Sequence, residues 1–132
     1  MATRQEIQIA QDLIRFINII NDFFDCSVDF IRANTDVGLI KDTLKRTCQN
    51  IYGYRDRLLN FLANPTNKQM AINGLTSWGV DLDKAKQELL NMLAVADYIN
   101  TNVDNVTDIN GLNILASYIE ANVPKLPLVR KA

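Results

Sequence analysis

Histidine is absent from this 132-residue sequence, and cysteine occurs only twice. The missing imidazole side chains remove the commonest general base and the commonest transition-metal ligand from any proposed site. A catalytic mechanism would have to use carboxylates, lysine, tyrosine or cysteine instead. We therefore expect a protein that is not an enzyme and that holds no metal or other cofactor.

The two cysteines, Cys26 and Cys48, are too few for a disulfide framework or a zinc site. Cys48 falls in the apolar register of one predicted helix, and Cys26 lies beside the apolar register of another. Because a free cysteine behaves as a small hydrophobic residue, we expect both thiols to be buried and unreactive.

Long apolar runs are also missing. A bilayer-spanning helix needs roughly 20 apolar residues, whereas the most apolar stretch, residues 16–24, is interrupted by Asn18, Asn21 and Asp22. The first dozen residues carry charges of both signs, unlike a signal peptide. The net charge of −1 gives no general attraction to nucleic acid or anionic membranes. We therefore expect a protein of the cytoplasm or of an assembled particle, neither secreted nor membrane-bound.

What the sequence does contain is a strong helical pattern near its start. From residue 3 to residue 32, the polar residues recur at steps of three and four and so fall almost wholly on one stripe of an α-helix. These polar residues are Gln8, Gln11, Arg15, Asn18, Asp22, Asp25, Asp29 and Arg32. Nearly every other position is apolar. Several neighbours must cover so apolar a helix, which should be the central member of a bundle. Thr3 and Glu6 have the spacing of a capping box at its start.

The rest of the chain predicts further helices and no sheet. These helices span residues 37–63, 65–73, 82–101 and 109–123. The turn at residues 33–36 supplies the predicted N-cap of the second helix, Asp81 that of the fourth, and either Thr107 or Asp108 that of the fifth. The expected fold is all-α, an antiparallel helical bundle of four to five helices with a long central N-terminal helix. Residues 1–123 form the predicted bundle domain, and residues 124–132 form an extended, proline-containing basic tail.

Two glycines carry structural predictions. Gly53 lies in the middle of the second helix, where we expect a kink or a close crossing with another helix. The pair Asn73-Gly74 is a helix-ending signal, so the third helix should stop there. Residues 75–80, which include Trp78, should then form a loop.

Three carboxylates, Asp22, Asp25 and Asp29, line one side of the first helix. They have the composition of a divalent-cation site, but one helix face seldom supplies enough oxygen ligands for such an ion. We expect a solvated or salt-bridged surface, and binding of an arginine-bearing protein partner is the better of the two functional interpretations.

The second helix is basic and carries two interleaved tyrosines. Its basic residues are Lys41, Lys45, Arg46, Arg55 and Arg57, set against Asp42 and Asp56. Basic surfaces with aromatic residues bind nucleic acids, but here the charges spread over more than one face, so nucleic acid is not the expected partner. The acidic first helix and the basic second helix are complementary, either within one chain or between copies.

Trp78 and the tail are the remaining candidates for partner binding. Trp78 either covers the end of the bundle or anchors a protein partner, a role in which tryptophan is enriched. The tail combines apolar and basic side chains on a backbone stiffened by two prolines. These residues are Lys125, Leu126, Leu128, Val129, Arg130 and Lys131. The tail should contact either a neighbouring subunit or the bundle itself.

These observations favour a non-catalytic helical assembly subunit that contacts copies of itself or other assembly subunits. A ring, adaptor or capsid-associated component of a virus particle has the expected size and composition. The alternatives are a regulatory or chaperone-like module that binds a peptide or helix in a groove, and a nucleic-acid binder that uses the second helix.

Overall fold

The computed structural model describes residues 1–123 and contains five α-helices in that range. They are α1 (Arg4–Ala33), α2 (Val37–Ala63), α3 (Pro65–Ser77), α4 (Leu82–Asn102) and α5 (Ile109–Asn122), with a short 3-10 helix at Val103–Asn105. Residues 1–123 contain no strand. The predicted all-α helical bundle with a long N-terminal helix is confirmed. The predicted extended tail, Pro124 to Ala132, lies outside the described residues.

Helix α1 is the central element, because it contacts each of the other four helices. Its inward positions are almost fully buried and belong to one continuous hydrophobic core. They include Ala10, Leu13, Ile14, Ile17, Ile20, Phe24, Val28 and Ile31. The predicted capping box is present: the Thr3 hydroxyl accepts from the Glu6 backbone N–H, and the Glu6 carboxylate accepts from the Thr3 backbone N–H.

Three further helix starts follow the sequence signals. Asp36, Asp81 and Asp108 are the N-caps of α2, α4 and α5, and each carboxylate accepts a backbone N–H from the first turn. Such a bond satisfies one of the N–H groups that has no partner inside the helix. The boundaries of these three helices therefore agree with the prediction to within a residue or two.

The predicted end of the third helix is wrong. Helix α3 continues past Asn73 to Ser77, and Trp78 is its C-cap rather than a loop residue. The helix stops at Gly79, whose φ of 72° is the left-handed conformation that glycine adopts without strain. The N–H of Gly79 donates to the carbonyl of Thr76, and the N–H of Val80 donates to that of Leu75, which together form a Schellman motif.

The expected close helix crossing lies at Gly74 and not at Gly53. A Cβ atom on Gly74 would lie 2.1 Å from the backbone carbonyl oxygen of Glu6, so α3 and α1 approach closely at this point. Gly53 is exposed on a continuous α2, and a Cβ atom there would meet no neighbour within 4 Å. Gly74 is therefore a packing glycine, which explains why it does not end its helix.

Candidate functional site

The outer stripe of α1 borders two surface grooves. The first, which we call the α1 groove, is lined by Gln11, Ile14, Arg15, Asn18, Ile19, Asp22 and Trp78. Trp78 reaches this groove because it caps the end of α3, where its half-buried side chain packs against the hydrophobic core. Two residues singled out from the sequence, Trp78 and Asp22, therefore lie at one surface feature.

The second groove, which we call the acidic groove, lies between α1 and the end of α5. It is lined by Asp25, Val28, Asp29, Ile119, Glu120 and Val123. Arg32 Nη2 donates to Glu120 Oε1, one of the lining carboxylates, at 2.5 Å, and this bond raises the pKa of Arg32. Asp25 and Asp29, the other two predicted acidic residues, thus belong to this groove.

No group of three or more cysteine or carboxylate side chains within residues 1–123 is arranged to hold a metal ion. The three aspartates of α1 are divided between the two grooves instead of converging on one point. Their arrangement fits a surface that attracts basic groups along its length better than it fits a coordination site.

Asn18, one of the residues that line the α1 groove, has an unsatisfied acceptor. Its Oδ1 atom is buried and receives no hydrogen bond from any group in residues 1–123. A buried polar atom without a partner costs free energy.

The lysines of α2 are engaged within the chain. Lys41 Nζ donates to the backbone carbonyl oxygens of Val106, at 2.7 Å, and Asp104, at 3.4 Å. Lys45 forms an ion pair with the Asp104 carboxylate. These contacts attach α2 to the connection between α4 and α5 and draw two of its positive charges away from a common outer surface.

The arginines near the middle of α2 stack on tyrosine rings. Arg55 lies 4.8 Å from the ring centre of Tyr52, and Arg57 lies 5.5 Å from that of Tyr54. Both contacts have the geometry of cation–π interactions. The basic and aromatic side chains whose alternation suggested stacking on nucleic-acid bases thus contact each other within α2.

Buried Cys48, half-buried Tyr52 and exposed Asp97 form a polar cluster that resembles a reactive site. The Tyr52 hydroxyl donates to Asp97 Oδ1 at 2.5 Å, and the Cys48 thiol donates to the Ala96 carbonyl oxygen at 3.5 Å. Burial, with a contribution from Asp97, raises the pKa of Cys48 to about 11, and burial also raises the pKa of Tyr52. Because the nucleophilic form of cysteine is the thiolate, this cluster offers no activated nucleophile at neutral pH.

The prediction that both thiols are buried is confirmed for Cys48 and wrong for Cys26, which is exposed on α1. Cys26 follows Asp25 and lies one turn beyond Asp22, so it belongs to the outer side of the helix.

An exposed aromatic surface on α4 and α5 was not predicted. The rings of Tyr98 and Tyr118 stack with centres 3.8 Å apart and planes 13° from parallel. Ile114, one turn before Tyr118, is 66% exposed, and Tyr98 is 37% exposed. We call Tyr98, Ile114 and Tyr118 the tyrosine patch. In the sequence, the one sign of this surface is that these apolar residues fall outside the buried positions of their helices. The sequence does not show that α4 and α5 bring them together.

A third concave surface lies between the first half of α1 and the second half of α2. This α1–α2 cleft is lined by Ile9, Asp12, Leu13, Phe16, Arg57, Leu58 and Phe61. One of its walls is held by an edge-to-face contact between Phe16 and Tyr54, whose ring centres are 5.5 Å apart. Its lining is predominantly apolar, with one charge of each sign.

The predicted tail residues lie outside the described part of the chain. They are Lys125, Leu126, Leu128, Val129, Arg130 and Lys131. The described chain stops at Val123, which is a wall residue of the acidic groove.

Comparisons with known proteins give no functional information. No protein-family model, curated protein or solved structure matches this chain. Among the helices of residues 1–123, none combines the length and the apolar character needed to cross a membrane.

Proposed function

We propose that this protein is a non-catalytic helical subunit that makes protein–protein contacts in a larger assembly, and that the tyrosine patch is its contact surface. The observation that supports this proposal is the stack of the exposed Tyr98 on the half-buried Tyr118, with the exposed Ile114 one turn before Tyr118. Tyr98 and Ile114 lie on the outer surface of a bundle whose other large apolar residues mostly face inward, and Tyr118 packs between this surface and the core.

The patch has the chemistry of an interface centre. Tyrosine is enriched in the buried centres of protein interfaces, where it contributes a large apolar area and a hydroxyl group. The stacked rings restrict each other before any partner arrives, which lowers the entropy lost on binding. Asn102 and Asn122 donate from Nδ2 to the backbone carbonyl oxygens of Tyr98 and Tyr118 and so support the helix ends that carry the rings.

The partner is a second copy of this chain or another subunit of the same assembly. In a twofold-symmetric contact one patch faces its own copy, so that a single apolar surface serves both partners. A ring, adaptor or capsid-associated component of a virus particle is an assembly of the proposed kind.

Sedimentation velocity over a range of protein concentrations tests this proposal. The variant Ile114→Asp should weaken association by at least about tenfold, because a charge would be buried at the centre of the contact. Leu59→Asp is a matched control, since Leu59 is an exposed leucine on α2 and not on α4 or α5. Both variants should keep the helical content of the natural sequence by circular dichroism.

The self-association form of the proposal is contradicted if the natural sequence and Ile114→Asp sediment identically at every concentration. It is also contradicted if Leu59→Asp weakens association as much as Ile114→Asp does. If the natural sequence stays monomeric, the partner proposed for the tyrosine patch is another subunit of the assembly.

The α1–α2 cleft supports a second candidate function, a module that binds an amphipathic helix. Apolar grooves of this kind accept residues spaced three and four apart on a partner helix. Phe61 is half-buried in the cleft wall, so Phe61→Ser should reduce the binding of amphipathic helical peptides while leaving sedimentation unchanged. Peptide binding that is insensitive to this change would count against the cleft.

Nucleic-acid binding through α2 is the weaker hypothesis, because Lys41, Lys45, Arg55 and Arg57 already contact groups within the chain. Phosphate contacts are strongest at low salt. An absence of binding to single-stranded or double-stranded oligonucleotides at low ionic strength would exclude this function.

A further inference from the structure

We infer that the tyrosine patch binds the same patch on a second copy of this chain, across a twofold axis that passes near Ile114. This inference rests on the function proposed above and specifies the partner. In a twofold contact a residue near the axis meets its own copy, so the surface must be complementary to itself. The composition of α4 and α5 meets this condition.

The outer face of α5 is uncharged. Its exposed residues recur at steps of four, three and four and so form one stripe along the helix. They are Asn110, Ile114, Ser117 and Ala121. Ile114, at 66% exposure, is the one large apolar side chain of this stripe. Ser117 and Ala121 are small, which leaves room for another helix to approach beside it.

The second half of α4 continues this uncharged surface. Leu90, Ala94 and Tyr98 are exposed and four residues apart, which places them on one side of the helix. The stack of Tyr98 on Tyr118 joins this side of α4 to α5. Exposed apolar side chains therefore lie on both helices that carry the stacked rings.

The charges of this region are engaged within the chain. Residues 89–123 contain four charged side chains, all of them carboxylates, and each has a partner. The pairs are Asp97 with the Tyr52 hydroxyl, Asp104 with Lys45, Asp108 with the Gly111 backbone N–H, and Glu120 with Arg32. Three of these partners lie on α1 or α2, so those carboxylates contact neighbouring helices. The patch itself carries no charge, and a twofold contact brings no like charges face to face at its centre.

The polar groups at the patch are complementary to themselves. A tyrosine or serine hydroxyl and an asparagine amide each both donate and accept hydrogen bonds. Tyr98 and Tyr118 supply such hydroxyls, and Asn113, Ser117 and Asn122 are exposed on α5. Groups of this kind on two copies can pair with each other, whereas two lysines or two aspartates repel.

The same features disfavour other classes of partner. Residues 89–123 contain no lysine or arginine, so this surface lacks the cations that bind nucleic-acid phosphates and anionic lipid head groups. A basic protein partner would have to compete with the internal contacts of the carboxylates. A second copy of the uncharged patch needs neither.

Opposite charges at Ile114 test the twofold contact in the full chain. Ile114→Lys and Ile114→Asp should each weaken self-association at least about tenfold, because like charges would meet at the axis. An equimolar mixture of the two variants should associate at least about fivefold more tightly than either variant alone, because opposite charges then meet. Sedimentation velocity over a range of concentrations measures the association, and circular dichroism should show unchanged helical content.

Leu59 provides the matched control, since it is an exposed leucine on α2. Leu59→Lys and Leu59→Asp should each sediment like the natural chain, and mixing them should change nothing.

A disulfide gives a second measurement that does not depend on charge. Two cysteines can be joined only when their Cβ atoms lie within about 4.5 Å, which a residue near a twofold axis satisfies. Ile114→Cys in a Cys26→Ser chain should form a covalent dimer with the oxidant diamide, and Leu59→Cys in the same chain should not.

The possible outcomes separate this inference from the function on which it rests. Loss of association in both Ile114 variants, its recovery on mixing and the Ile114→Cys dimer are the expected results. Loss without recovery and without a covalent dimer would overturn the twofold contact while keeping the patch as a contact surface. A natural chain that is monomeric at every concentration would overturn the second copy as partner and leave another subunit. Association that neither Ile114 variant weakens would overturn both the inference and the proposed contact surface.

Discussion

The two thiols of this protein illustrate how the surroundings of a side chain set its reactivity. Cys48 lies in the core with its thiol directed at the Ala96 carbonyl oxygen, and burial raises its pKa to about 11. Cys26 is exposed on the outer side of α1. Only the thiolate form reacts quickly with alkylating reagents, so the two residues should behave differently in the folded protein.

Thiol labelling at neutral pH should therefore modify one cysteine quickly. We expect iodoacetamide to alkylate Cys26 in the native protein and to reach Cys48 only after unfolding, with the sites assigned by mass spectrometry. The variant Cys26→Ser should show no fast phase. Rapid labelling of both residues without denaturant would contradict the burial of Cys48.

Glu6 joins the start of α1 to α3 through one carboxylate. Its Oε1 accepts from the Thr3 backbone N–H at 2.8 Å, and its Oε2 accepts from Asn73 Nδ2 at 2.6 Å. The Thr3 bond and then the Asn73 bond lower the pKa of Glu6, against a smaller opposing effect of burial. Hydrogen bonds to the ionised form favour that form.

The stability contributed by Glu6 should depend on pH. Because its folded-state pKa is depressed, the contribution is present above the ordinary glutamate value of about 4.3 and is lost as the pH falls from there through the folded-state pKa. Glu6→Gln keeps an acceptor for the capping box but has no charge. Urea unfolding should show the variant to be less stable than the natural sequence at neutral pH. The difference between their unfolding free energies should shrink below about pH 4. A difference that is constant with pH would contradict the role of the carboxylate.

At the scale of the helices, the close packing of α1 against α3 depends on a glycine, which has no side chain. Gly74 allows the backbone of α3 to approach the Glu6 carbonyl, and Asn73 beside it donates to the Glu6 carboxylate. The sequence pair Asn-Gly favours a helix end, but here tertiary packing outweighs that local preference. The glycine that does end α3 is Gly79, where a positive φ is required.

The two mid-helix glycines should respond to alanine in opposite directions. Gly74→Ala forces a Cβ against the Glu6 backbone and should cost about 1–3 kcal/mol of unfolding free energy, the usual range for overpacking. Gly53→Ala meets open space and should stabilise the protein by up to about 1 kcal/mol through helix propensity. Chemical denaturation of both variants under one condition measures the contrast. Stabilisation by Gly74→Ala would show that the close crossing does not exist.

At the scale of the whole molecule, the sequence was most informative where structure is local. Hydrophobic periodicity and the caps at Thr3, Asp36, Asp81 and Asp108 predict the helices and the central place of α1. These signals depend on residues a few positions apart. For the same reason the all-α bundle could be predicted before any contact between helices was known.

Surface features formed by distant residues could not be predicted in this way. Tyr98 and Tyr118 meet only because α4 and α5 pack together, and Trp78 reaches the α1 groove only because α3 runs past Asn73. A helical pattern identifies the buried side of each element but does not say which outer sides become neighbours. The candidate contact surfaces therefore required the structure.

The bundle is organised around α1, and native-state hydrogen exchange of its backbone amides tests this claim most directly. The inward half of α1, from Ala10 to Ile31, is buried against all four other helices, so its amides should exchange only through global unfolding. Their exchange free energies should then equal the unfolding free energy from urea denaturation. Exchange of the α1 amides through a much smaller local opening, while amides of α4 or α5 remain protected, would contradict a bundle built around this helix.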